Sequence, residues 1–147
     1  MTTHSPDLQW LLIKNTSSFL VRRKYAKANT FTTEPNNLTG INAWKYNGLV
    51  NKKAVGITAG PDNKGIVLRT RRKRGGTRRP AKMFSDVVMV GDRRRTFRAI
   101  RKNLGGNCYR RDLVEVSSVC FFSQVAVRKA SAILASQRPR RLAKKHK

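Results

Sequence analysis

"LVNKKAVGITAGPDNKGIVLRT", Leu49 to Thr70, decides how the chain folds. Two runs rich in Val, Ile and Thr flank a loop, Gly60 to Gly65, built from Pro61, Asp62, Asn63 and glycine. Proline presets its own φ, Asp and Asn tolerate left-handed backbone and bond locally, and glycine takes either hand, so such a cluster turns the chain sharply. Strand formers on both sides of it read as a β-hairpin, with β structure expected from Leu49 to Ala59 and from Ile66 to Thr70. "MFSDVVMV", Met83 to Val90, reads as a strand returning after the hairpin.

Between that strand and the hairpin lies "RTRRKRGGTRRPAK". Seven arginines or lysines fall between Arg69 and Arg79, interrupted by Gly75-Gly76. Alone in water such a loop repels itself. Further along, Asp92 is placed to cap a helix, "RRRTFRAIRKNL", that the pair Gly105-Gly106 ends. Phe97, Ile100 and Leu104 form a narrow apolar stripe, and Arg94, Arg95, Arg98, Arg101 and Lys102 cover most of the rest. A last helix is expected from Asp112, with Glu115 completing a capping-box spacing, and running to Ser136. Its middle, "VEVSSVCFFSQVAV", is rich in β-branched and aromatic residues, so a strand there is an open alternative.

N-terminal to the hairpin, Ser5 is placed to cap a short helix with Pro6 at its first position and Asp7 in its first turn. Leu8, Leu11 and Leu12 give it one apolar face, with Trp10 at the edge. Thr16 to Val21 read as a strand, with Phe19 and Val21 on one side. The basic cluster Arg22, Arg23, Lys24 follows, and then "FTTEPNNLTG", Phe31 to Gly40, which holds no Lys or Arg. Together these elements predict an α+β fold: a small mixed body with a short antiparallel sheet packed by helices. Residues 1–137 are expected to form one small domain with a basic loop at about 69–82. Residues 138–147, "RPRRLAKKHK", form a basic tail with no fold of its own.

The charge balance narrows the function. Across 147 residues there are 33 Lys and Arg against 7 acids, a net charge of +26. The cations are spread along the whole chain. Charge of this size opposes folding by self-repulsion, and a polyanion relieves it. Nucleic acid is the leading partner. No apolar run reaches the ~18 residues a spanning helix needs, and the N-terminus lacks the basic n-region and long h-region of a signal peptide. Cys108 and Cys120 have no second pair and no nearby histidine, which argues against zinc. The acids and two histidines lie far apart in sequence, and no Walker or dinucleotide phosphate loop is present. Glu34, Asp92 and Asp112 are explained as turn or cap residues, so no enzyme, cofactor or small-molecule substrate is expected.

The arginine loop and the Arg93–Leu104 helix are the main candidate contacts. Arginine presents a planar fork to phosphate oxygens and stacks on exposed bases. The candidate RNA-binding residues are Arg22, Arg23, Lys24, Asn36, Asn37, Tyr46, Arg69, Arg71, Arg72, Lys73, Arg74, Arg78, Arg79, Arg94, Arg95, Arg98, Arg101, Lys102, Arg110, Arg111, Arg128, Lys129, Arg138, Arg140 and Arg141. Both tryptophans read better as packing than as base-stacking groups. For Tyr46, beside Lys45 and Asn47, both readings are open. Pro35 pushes Glu34 toward an extended conformation. Asn36 and Asn37 either bond their own backbone in an Asx turn or offer donors and acceptors to sugar and base edges. The two roles are compatible.

Several of these stretches also resemble a known family. "TEPNNL" (Thr33 to Leu38), "YNGL" (Tyr46 to Leu49), "VGI" (Val55 to Ile57), "IRKN" (Ile100 to Asn103) and "RKASAIL" with "SQ" and Pro139 after it occur in the same order in the eukaryote-specific large-ribosomal-subunit protein family conventionally numbered twenty-eight. "LQW" with "SSFL", between Leu8 and Leu20, resembles it too. The resemblance implies a structural protein of the cytoplasmic large subunit, bound to ribosomal RNA and to neighbouring ribosomal proteins, with assembly in the nucleolus and no enzymatic activity. The competing reading is a DNA-compacting or chromatin-associated protein. The mixed β pattern and the arginine bias speak against it. One departure stands out: the family pattern runs from "YR.DL" almost directly into "RKASAIL", whereas here about eleven extra residues, Val114 to Gln124, intervene. They either lengthen the helix by about three turns or are encoded by a retained intron.

Overall fold

The computed structural model describes residues 5–21, 30–72, 79–106, 109 and 125–138. Helices α1 (Pro6–Ile13), α2 (Arg93–Arg101) and α3 (Val125–Ser136) accompany strands β1 (Leu20–Val21), β2 (Phe31–Thr32), β3 (Val55–Ala59), β4 (Ile66–Arg71) and β5 (Phe84–Met89). The class is α+β, with one antiparallel sheet in the order β3-β4-β5 and a two-stranded sheet of β1 and β2.

The hairpin forms as the loop chemistry dictates. Asp62 and Asn63 both adopt left-handed backbone, at φ 56° and 53°, a region where these two residue types are enriched. The Gly60 N–H closes the turn on the Gly65 carbonyl at 3.0 Å. In register, Ile57 faces Leu68 and Leu68 faces Val87, while Ala59, Ile66 and Met89 align further along the ladder. Alternation then sends Val55, Ile57, Ile66, Leu68 and Met89 to one face, where they are buried, and Thr58, Arg69, Arg71, Phe84, Asp86 and Val88 to the other.

The helices cover the apolar face. From α2 and the π-type turn that extends it, Lys102–Gly106, come Ile100 and Leu104, both fully buried. From α3 come Ala126 and Ala130, whose small side chains allow close approach to the sheet, with Ile133 and Leu134 packed beside them. The helix is also tied at its far end, where Gln137 Nε2 donates to the Gly65 carbonyl at 2.7 Å.

Several expectations need correction. The strand read from Leu49 begins only at Val55, because the side chains of Asn47 and Asn51 take up the backbone before it. Asn47 Oδ1 accepts from the N–H groups of Leu49 and Val50 at 3.0 and 2.9 Å. Asn51 Nδ2 donates to the carbonyls of Trp44 and Asn47, both at 2.7 Å. The strand read from Thr16 shrinks to Leu20–Val21. There the Ser17 hydroxyl accepts from the Phe19 N–H at 3.3 Å and the Ser17 N–H bonds back to Ile13, local bonds that compete with a ladder. The expected cap of α1 is present, with Ser5 Oγ accepting from the Leu8 N–H at 3.3 Å, but its leucine face is not packed: Leu8, Leu11 and Leu12 are exposed. Asp92 stands at the N-cap of α2 without a side-chain cap bond. The start of the last helix at Asp112, the alternative strand as far as Gln124, both cysteines, residues 73–78 of the basic loop and residues 139–147 lie outside the described residues.

Candidate nucleic-acid interface

The segment Thr33 to Leu38 buries Glu34, Asn37 and Leu38 and leaves Thr33 and Pro35 exposed. Glu34 is buried at 6% exposure. Its carboxylate accepts from the Gly48 N–H at 2.5 Å and from Asn47 Nδ2 at 3.1 Å. Burial pushes its pKa above the ordinary carboxylate value, against the pull of the Gly48 hydrogen bond. It anchors the Asn47-Gly48 turn and also opens a turn of its own, its carbonyl accepting from the Asn37 N–H at 3.4 Å. Asn36 lies so close over Gly48 and Gly56 that a Cβ at either would come within 2.7 Å of its side chain. Asn37 is buried and spends its whole amide inside the protein. Its Oδ1 accepts from the Gly40 and Thr39 N–H groups at 2.8 and 3.0 Å, and its Nδ2 donates to the Ile41 carbonyl at 3.0 Å. The Asx-turn role is the one this geometry carries.

Some cations named from the sequence are also committed inward. Lys129, on α3, donates from Nζ to the Asn37 carbonyl at 2.9 Å, and burial lowers its pKa. Arg71 Nη1 donates to the Asn51 and Leu49 carbonyls at 3.1 and 3.4 Å. The Arg71 carbonyl lies 2.6 Å from the Tyr109 hydroxyl, which donates to it. Arg69 forms a two-pronged pair with Asp86 directly across the sheet, Nε to Oδ1 at 2.9 Å and Nη2 to Oδ2 at 2.8 Å. That hydrogen bonding lowers the Asp86 pKa and raises that of Arg69. Both side chains remain more than two-fifths exposed, so the pair is open to exchange with a phosphate. The Arg69 guanidinium also lies 6.0 Å from the centre of the Phe84 ring. Tyr46 is half-buried against the core, with Lys45 Nζ 5.8 Å from its ring centre.

The outward-facing cations are brought together chiefly by α2. Arg94, Arg95, Arg98, Arg101 and Lys102 are all exposed. At 3.6 residues per turn they span an arc of about 120°. Thr96, Phe97, Ile100 and Leu104 take the opposite arc, and Thr96 is pinned by its hydroxyl to the Gly91 carbonyl at 3.2 Å. Arg93 falls on that inner side, which accounts for the burial of its Nε without a hydrogen-bond partner. Arg72, Arg79, Arg128 and Arg138 are exposed as well. Arg22, Arg23, Lys24, Lys73, Arg74, Arg78, Arg110, Arg111, Arg140 and Arg141 lie outside the described residues. Among the described residues no cluster of His, Cys, Asp and Glu suits a metal ion, and no helix is long and apolar enough to cross a membrane.

A rigid knot of buried amides beside a sheet, with arginines spread along the outer face of one helix, is what the order TEPNNL, YNGL, IRKN, RKASAIL builds in three dimensions. The model of the Ribosomal L28e protein family matches residues 8–136. The chain belongs to that family. It is 40% identical over 138 residues to the large ribosomal subunit protein eL28 of Schizosaccharomyces pombe, covering 93% of this chain and 96% of that protein. The eL28 protein of Caenorhabditis elegans is 34% identical over 133 residues, with 90% of each chain covered. That of Trypanosoma cruzi is 31% identical over 87 residues, 59% of this chain and 56% of its own. The L28e family is one of ribosomal proteins, not of enzymes.

Three placements carry little signal in the sequence. Lys129 and Arg71 read as phosphate contacts because their partners are main-chain carbonyls, which carry no sequence signal. Trp44 reads as a core residue or one packed against the sheet, and it is 46% exposed. Its position one residue before Lys45, between Ala43 and a turn of amides, was the available hint.

Proposed function

We propose that the chain is a structural constituent of the cytoplasmic large ribosomal subunit and holds ribosomal RNA through phosphate contacts from α2, the basic loop and the tail. The curated relatives in fission yeast and nematode are large-subunit proteins over nearly their whole length. The observation that carries the RNA contact is the α2 surface: five exposed cations on one arc of a helix whose other arc is fixed in the core. Such a helix presents charge at set positions and cannot turn its apolar side outward to a membrane. Arg72, Arg79, Arg128 and Arg138, also exposed, supply further phosphate contacts in this reading, and Arg69 joins when a phosphate replaces Asp86. Lys129 and Asn37 shape the fold beneath it. Assembly in the nucleolus and contacts with neighbouring ribosomal proteins belong to the same reading.

Sucrose-gradient fractionation of cell lysate, with and without EDTA, tests this. The protein is expected to follow the large subunit after the subunits part and to remain through a moderate salt wash. Sedimentation with chromatin, or retention at the top of the gradient, overturns the proposal.

A further inference from the structure

Trp44 is a large apolar side chain left open to solvent. It is 46% exposed, and Leu49, five residues on, is 47% exposed. Both sit on a short stretch of chain held rigid from several sides. Asn51 Nδ2 donates to the Trp44 carbonyl, Asn47 Oδ1 accepts from Leu49, and the buried Glu34 carboxylate holds Asn47 and Gly48. The stretch therefore presents an indole whose backbone cannot relax to bury it. Lys45 adjoins Trp44 in sequence, Lys52 is exposed on the same stretch, and the Arg71 guanidinium is tied to the Leu49 and Asn51 carbonyls of that stretch.

We infer that Trp44 is a stacking platform for an unpaired nucleobase of RNA, with the exposed Lys52 serving an adjoining phosphate. This rests on the RNA-binding reading above and adds a contact to the base, where the α2 arginines contact only the backbone. An aromatic face accepts any base, and its loss is felt per stacked base while the phosphate contacts are left intact. A protein neighbour would cover an apolar patch equally well. The positive charge on this stretch favours a nucleotide, whose phosphates that charge neutralises as its base is stacked.

The test uses the full chain carrying Trp10→Phe, so that Trp44 is the sole tryptophan. It is titrated with oligoadenylate and, separately, with an abasic ribose-phosphate oligomer of the same length. Oligoadenylate is expected to quench the Trp44 emission. Adding Trp44→Ala, with binding followed by the anisotropy of a labelled oligomer, is expected to weaken oligoadenylate binding roughly tenfold. The abasic oligomer should bind both variants equally, with the same salt slope. Trp44→Phe should restore most of the loss, and matching far-UV spectra show that the fold is retained. Equal binding of oligoadenylate with and without Trp44 overturns the stacking site and leaves phosphate binding standing. Failure of both oligomers to bind overturns both. Emission that responds only to RNA-stripped large-subunit proteins reassigns the surface to a protein neighbour and also overturns the stacking site.

Discussion

Glu34 shows how one carboxylate fixes a local structure. Two donors, the Gly48 N–H and Asn47 Nδ2, converge on it. Asn47 cannot rotate its amide to suit a different partner, because its Oδ1 already accepts from Leu49 and Val50. Glu34→Gln offers one acceptor and sets a second N–H₂ against Asn47. It is expected to lower the unfolding free energy by about 1–3 kcal/mol, read as a lower urea midpoint. Burial raises the Glu34 pKa, so the folded state binds this proton more tightly than the unfolded chain does. Its contribution is fully present below the ordinary carboxylate value and is lost as pH rises from there through the raised one. The stability gap between wild type and Glu34→Gln should therefore widen as pH falls through that window. A constant gap would show that the carboxyl is not perturbed. Asp86 has the opposite sign: Arg69 lowers its pKa, so the pair stabilises at neutral pH and is lost in acid. Solvent screens so exposed a pair to under about 1 kcal/mol. Asp86→Asn should barely move the midpoint while freeing Arg69 for phosphate. RNA titrations should then show a slope of log affinity against log salt steeper by about 0.7–0.9. At this scale the sequence was readable where a residue bonds its neighbours, as Asn37 does, and opaque where the partner is remote: Lys129 and Asn37 are 92 residues apart.

At the scale of elements, the hairpin and α2 were legible because turn residues and a three-to-four spacing are local signals. The Leu49 strand was over-read because amide side chains outcompeted the β-ladder for its backbone. The same contrast separates two kinds of cation that look alike in sequence. Arg98 lies on the outer arc of α2 and Lys129 on the inner side of α3, bonded to Asn37. Arg98→Met should leave the urea midpoint within about 0.5 kcal/mol of wild type and reduce the salt slope of RNA binding by about 0.7–0.9. Lys129→Met keeps the aliphatic stem but removes a hydrogen bond from a charged donor. It should cost about 1.5–3 kcal/mol and leave the salt slope unchanged. If Lys129→Met lowered the slope as Arg98→Met does, Lys129 would be reaching phosphate rather than the Asn37 turn. Helix α1 adds a third case. Its cap was legible in Ser5-Pro6-Asp7, but the exposure of Leu8, Leu11 and Leu12 was not, because an amphipathic pattern says which residues share a face and not whether anything covers it.

For the whole molecule, the balance of charge outweighs any single bond. The net charge is +26, with 33 Lys and Arg against 7 acids, and even the Arg69–Asp86 pair is more than two-fifths exposed. The exposed cations of α2 therefore share one arc of a helix in a chain with far fewer acids than bases. Repulsion of this kind weakens as salt shortens the Debye length from ~30 Å at 0.01 M to ~10 Å at 0.1 M. A protein stabilised by surface ion pairs loses stability over that range. This one should gain it, because the screened interactions are mostly between like charges. The free chain is expected to be only partly ordered in low salt, and its thermal transition, followed by far-UV circular dichroism, should sharpen and move upward as sodium chloride is raised from ~0.01 to about 0.3 M. Sulfate, a divalent anion that binds arginine forks, should give the same shift at lower concentration. A transition that is already cooperative at the lowest salt and falls as salt is added would mean that the apolar contacts between sheet and helices outweigh the repulsion, and that the fold stands without its polyanion.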